Sequence, residues 1–143
     1  MEKKSYGVEE FLSRPQRLEE EIRGDLDHIA SLRSIVENRT THLSFTAGRN
    51  PSKNEKAFEN VMIQIAEEEK RLEEKQKRLV ELKLEVENFI REIPNEKQKR
   101  MLRLKFINGL SFPDIRSIMC LGKTNTYKLY DKAIATAEKK YLK

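Results

Sequence analysis

From Phe58 to Ile93 the apolar residues fall three and four apart without losing phase: Phe58, Val61, Ile65, Leu72, Leu79, Leu82, Val86, Phe89 and Ile93. Spacing of that kind is the seam of an amphipathic helix that packs along another helix. Glu68 and Lys75 stand at the two seam positions that are not apolar. Long side chains can snorkel out of such a seam, and a polar layer can fix register. One helix is therefore predicted over about 55 to 93, roughly 58 Å long at ~1.5 Å per residue. Upstream, Leu18, Ile22, Leu26, Ile29, Leu32 and Val36 predict a second helix over about 16 to 39. Pro15 falls at its first turn, where a missing N–H costs nothing, and Phe11 and Leu12 go to a shorter piece before it. Neither stripe can be hidden alone, so the two helices should form an antiparallel coiled-coil hairpin. The connection TTHLSFTAGRNPSKN, residues 40–54, carries the breakers Gly48, Asn50 and Pro51 and predicts a long loop. At its tip, Arg49 and Lys53 could meet a phosphate or simply face solvent.

After Pro94 the pattern changes to short segments. Asn95 with Gln98 three residues on is a capping box for a helix over about 95 to 107, whose apolar face is Met101, Leu102, Leu104, Phe106 and Ile107. Asn108-Gly109 makes a turn, and Ser111 with Asp114 caps a short helix carrying Phe112, Ile115, Ile118 and Met119. Leu121-Gly122 breaks it, and a last helix runs from near Thr124 to about Leu142. At 100° per residue Tyr130, Ile134, Ala137 and Tyr141 share one stripe of that helix, and Asn125, Lys128, Lys132 and Lys139 share the opposite one.

Three short helices with a tight turn before the last is the layout of a helix-turn-helix module, whose second helix enters the DNA major groove. Asn can bond adenine through two hydrogen bonds, Lys can reach guanine or phosphate, and Thr hydroxyls can serve either. The candidate DNA-binding residues are Arg116, Lys123, Thr124, Asn125, Thr126, Lys128 and Lys132. The expected fold class is all-α: a hairpin over 1–93 followed by a helix-turn-helix module over 94–143. Because the long stripe outruns its partner, a homo-oligomer, a dimer or higher, is expected.

Charge strengthens the nucleic-acid reading. The chain carries 29 Lys+Arg and 24 Asp+Glu, but the imbalance is local. Residues 95–143 hold 12 basic against 4 acidic residues, a net of +8, while residues 1–94 come to −3. A basic end on a mildly acidic body suits double-stranded DNA as partner. At 37% charged and 37% hydrophobic the composition fits charge-coated helices better than one compact core. One Cys and two His predict neither a disulfide framework nor a zinc site, and Cys120 is expected to be a buried small hydrophobe in a reducing compartment. No apolar run approaches the ~18 residues of a membrane span and the start MEKKSYGVEE has no signal-peptide pattern, so a cytoplasmic protein is expected. No Gly-rich phosphate loop and no Ser-His or His-acid constellation is present, which argues against an enzyme and against a cofactor. The competing class is a non-enzymatic coiled-coil adaptor or structural protein whose hairpin is the binding surface.

The stretch from Ile93-Pro94-Asn95-Glu96 through Arg103-Leu104-Lys105-Phe106-Ile107-Asn108-Gly109-Leu110-Ser111-Phe112-Pro113-Asp114-Ile115 resembles region four of bacterial sigma factors. With the helical hairpin before it, nearly the whole chain resembles small phage and prophage proteins of Gram-positive bacteria, similar to the ArpU-like regulators of phage late transcription. The resemblance implies a sequence-specific DNA-binding activator or regulator of phage genes in the bacterial host's cytoplasm, and it leaves contact with RNA polymerase open. The chain departs from the sigma pattern after Ile115: Arg116 stands where Ala is usual, and Leu121-Gly122 comes two residues late. Either Met119-Cys120 fills the Leu-Gly place, or the turn is longer.

Overall fold

The computed structural model describes the backbone of residues 2–45 and 51–142, and the side chains of residues 7–38 and 55–142. The described residues are all-helical: α1 Glu2–Phe45, α2 Pro51–Arg91, α3 Glu96–Leu102 continued by a π-helical segment Arg103–Ile107, α4 Phe112–Met119 and α5 Lys123–Tyr141. By compactness the chain divides into one unit of Met1–Glu19 with Leu79–Lys143, and a second of Glu20–Arg78.

Two expectations about the first helices change. The loop predicted over 40–54 is shorter, because α1 runs on to Phe45 and α2 already begins at Pro51, a residue suited to a first helical position. Arg49 and the side chain of Lys53 lie outside the described residues. And α1 does not start after Pro15 but continues through it. A proline inside a helix costs about 3 kcal/mol, for a lost hydrogen bond and a clash with the preceding turn. Val8, Phe11 and Leu12, just upstream, are buried in the core of the first unit, and burial contributes about 1.5–3 kcal/mol for each such side chain. The packing outweighs the proline.

In the second unit the helices run antiparallel, since Asp25 and Glu21 meet Lys75 while Arg33 meets Glu69. The seam of α1 passes through Ile22, Asp25, Ile29, Leu32 and Val36 rather than through Leu26, which is 47% exposed. Asp25 therefore faces the polar seam position of α2: Lys75 Nζ donates to Asp25 Oδ2 at 2.7 Å and to Glu21 Oε1 at 3.2 Å. The Asp25 bond, with that of Glu21, holds the Lys75 ammonium above the ordinary lysine range, against the opposing effect of desolvation. A raised lysine stabilises the fold fully at neutral pH, and that contribution is lost only as pH climbs past the ordinary lysine range.

In the first unit Val8, Phe11 and Leu12 of α1, Val86 and Ile90 of α2, and Ile93 just beyond it join Met101, Leu102, Phe106, Ile115, Ala133, Ile134 and Ala137 in one buried cluster. Phe11, Phe89 and Tyr141 pack ring against ring at 5.2–6.2 Å. Asn95 Oδ1 accepts from Gln98 N at 3.0 Å, as the capping signal predicts, but Gln98 Oε1 is buried without a partner, so only half of the box forms. Gln16 of α1 closes the far end of this helix. Its Nε2 donates to the carbonyls of Lys105 at 2.7 Å and Phe106 at 3.3 Å, which the π segment leaves free. Gly109 follows at φ +67, in the left-handed region that glycine adopts without strain, and a Cβ there would lie 3.5 Å from Gln16 Nε2.

Candidate nucleic-acid interface

Ser111 opens α4: its Oγ accepts from Asp114 N at 3.4 Å and donates to Asp114 Oδ2 at 3.0 Å. The helix lasts two turns and ends at Cys120, whose φ of 55 and ψ of 46 are left-handed. Leu121 N donates back to Arg116 O at 3.1 Å, the six-to-one bond of a Schellman stop. The chain thus reverses at Met119-Cys120. Gly122 has an ordinary φ of −75 and caps α5. Cys120, expected to be buried, is exposed, because the left-handed residue of a helix stop points outward from the turn. A non-glycine residue in this conformation is strained by roughly 1 kcal/mol. Cys120→Gly is therefore expected to raise the stability of the chain by up to about 1 kcal/mol in urea titration, with unchanged helix content.

Three residues join α4 to α5, and the two helices cross with Ile115, Ala133, Ile134 and Ala137 between them and their neighbours. Phe112 of α4 packs on Tyr127 and Tyr130 of α5 at ring distances of 4.9 and 5.1 Å. Lys105 Nζ stands over the Phe112 ring at 4.7 Å. Burial, then the charges of Glu9 and Asp131, push the Tyr130 phenol well above its ordinary value, so it remains a neutral packing group at any working pH. This set of contacts fixes the rotation of α5 about its axis.

That rotation leaves Lys123, Thr124, Asn125, Lys128 and Lys132 exposed. Lys128 is at the middle of the outward face, and Asn125 and Lys132 are to one side of it. Arg116 is half-buried and reaches from α4 to a cleft of about 250 Å³, which it shares with Phe112, Pro113, Lys123, Thr126 and Tyr127. Thr126 is the exception among the candidate residues. It is fully buried and its hydroxyl donates to Gly122 O at 2.8 Å, so it locks the first turn of α5 rather than facing outward. The sequence placed it among the contacts because a threonine hydroxyl can serve a base or a phosphate, yet position 126 belongs to the buried side with Ala133 and Ala137.

Tyr127 escaped the sequence reading. It is 44% exposed, pinned by Phe112, and flanks Lys123 and Arg116. Its place between the buried and outward stripes was the available signal. Asp131 is the one acidic residue among positions 123–132. The arrangement offers hydrogen-bond donors and amide groups on a rigid, cationic helix face, suited to phosphate oxygens and base edges. Among the described residues no group of His, Cys, Asp and Glu is placed to hold a metal ion, and no helix is long and apolar enough to cross a membrane.

A family model described as a protein of unknown function, DUF1492, fits residues 45–138, which takes in α2, α3, α4 and most of α5. No curated protein and no solved structure matches the chain.

Proposed function

As the chain belongs to the DUF1492 family, whose function is not known, we propose from the α4–α5 interface itself that it binds duplex DNA as a transcriptional regulator. In this reading α1 and α2 form a coiled-coil hairpin, and α4, the turn and α5 are a helix-turn-helix whose second helix enters the major groove. The observation that carries it is the outward face of α5: Thr124, Asn125, Lys128 and Lys132 are exposed there, and Lys123 is exposed at the helix start, on a 19-residue helix whose other side is buried. Thr124, Asn125 and Lys128 are assigned to base edges, and Arg116, Lys123 and Lys132 to phosphates. The resemblance to sigma region four and to ArpU-like regulators supports a phage or prophage activator of late genes, working in the bacterial cytoplasm, with RNA polymerase as a candidate second partner.

A homodimer is part of the proposal, since helix-turn-helix readers pair to span two half-sites. Val80 and Leu84, one turn apart on α2, are 59% and 55% exposed and supply apolar surface for a second copy. The same surface supports the rival reading, an adaptor whose hairpin captures another protein. Fluorescence anisotropy of the full chain with a mixed-sequence duplex separates the two: a regulator binds with a steep loss of affinity as salt rises, and an adaptor shows no DNA affinity. Lys132→Ala is expected to weaken binding to every duplex about equally and to lower the magnitude of the slope of log affinity against log salt by about one.

A further inference from the structure

An open groove of about 560 Å³ lies between α3 and the turn that joins α4 to α5. Leu104, Met119 and Leu121, each half-buried, form its apolar part. Lys97, Arg100 and Arg103, spaced three apart along α3 and its π segment, line one side and are exposed. Glu96 and Lys99 also line the groove and neutralise each other in an ion pair at 3.3 Å, whereas Lys97, Arg100 and Arg103 make no ion pair among the described residues. Three unmatched cations beside an apolar floor are a charged and a greasy demand at one place.

We propose that this groove receives an acidic amphipathic helix of a partner protein. A large apolar side chain of that helix rests on Leu104, Met119 and Leu121, and its carboxylates face Lys97, Arg100 and Arg103. A nucleic-acid backbone would answer the cations but leave the apolar floor facing its wet phosphates. An uncharged apolar peptide would leave the cations unanswered. The volume is in the range of ~300–1,000 Å³ that accommodates anchoring groups, and the two arginines can each grip a carboxylate through paired hydrogen bonds. Helix-in-groove recognition uses this division between apolar anchor and charged rim. The proposal stands apart from the DNA reading, because none of these residues belongs to the outward face of α5.

The test uses the full chain labelled with nitrogen-15 and four probes: a short helical peptide with leucines on one face and glutamates on the other, the same peptide with serines for the leucines, the same with lysines for the glutamates, and a mixed-sequence DNA duplex. The expected result is that the leucine–glutamate peptide alone shifts the amides of α3 and of Met119–Leu121. The double variant Arg100→Glu, Arg103→Glu, with an unchanged circular dichroism spectrum, should then weaken that peptide at least about tenfold, as expected for two lost charge-assisted contacts. Equal shifts with the serine peptide would mean that the groove senses charge alone and would overturn the proposal. So would shifts of these amides by the duplex, which would make it a phosphate surface, or silence with all four probes.

Discussion

A fragment of residues 94–143 is expected to fail to fold cooperatively, although it contains all of α3, α4 and α5. The cluster that holds these helices together takes Val8, Phe11 and Leu12 from α1, Val86 and Ile90 from α2, and Ile93 from the link to α3. At about 1.5–3 kcal/mol for each buried apolar side chain, losing those six removes roughly 9–18 kcal/mol, as much as the whole stability of a typical domain. The fragment also loses the Gln16 bonds to the carbonyls of Lys105 and Phe106. A broad, non-cooperative melt of the fragment by circular dichroism, against a sharp one for the full chain, is the expected pair of results. Within the full chain, Leu12→Ala should destabilise the first unit by about 2–5 kcal/mol, since Leu12 is completely buried. A fragment that melts sharply would show that α3, α4 and α5 fold without α1 and α2.

On the proposed DNA reading, the double variant Asn125→Ala, Lys128→Ala is expected to lose most sequence preference while remaining folded. Both residues are exposed on α5 and make no contact with the core, so truncation leaves Thr126, Ala133, Ile134 and Ala137 undisturbed. A base contact through two hydrogen bonds discriminates by about 1–3 kcal/mol, so Asn125→Ala alone should cost about that much at one operator position and flatten the preference there. Adding Lys128→Ala takes a second donor from the centre of the face. Selection of binding sites from a randomised duplex pool, with parent and variant side by side, measures both effects. Undiminished preference in the variant would mean that α5 is not the reading helix. Tyr130→Ala or Ile134→Ala should behave oppositely, unfolding the first unit by about 2–5 kcal/mol rather than altering preference.

The three-four period made most of the helices legible in the sequence, because burial of one stripe is what selects it. From Phe58 on α2 to Ile93 just beyond its end, each seam position is buried or half-buried, Glu68 and Lys75 included. On α1 the same period runs through Val8, Phe11, Pro15, Leu18 and Ile22, so its phase already argued for one helix; the local cost of Pro15 hid this. Leu26 was mistaken for a seam residue because it is apolar, while Asp25, which keeps the spacing, is the one that meets Lys75. The outward face of α5 was legible as a stripe, but Thr126 was not separable by chemistry from Thr124, since a hydroxyl can either face a ligand or close on its own helix. The exposure of Cys120 depends on where α4 stops, and that is set by the left-handed turn rather than by residue type. The cations of α3 were visible as letters only. Their convergence on Met119 and Leu121 needed the packing of α3 against the turn.

Because the first compact unit joins Met1–Glu19 to Leu79–Lys143, its two parts are synthesised with all of Glu20–Arg78 between them. The ribosome completes Glu20–Arg78 while the later helices are still untranslated, so that unit can pair its helices first. Val8, Phe11 and Leu12 must wait, apolar and uncovered, until the chain has been extended as far as Ala137. A nascent chain halted before α5 should therefore be cut by protease within residues 7–19 while residues 20–38 and 55–78 resist, and protection of the early segment should arrive together with α5.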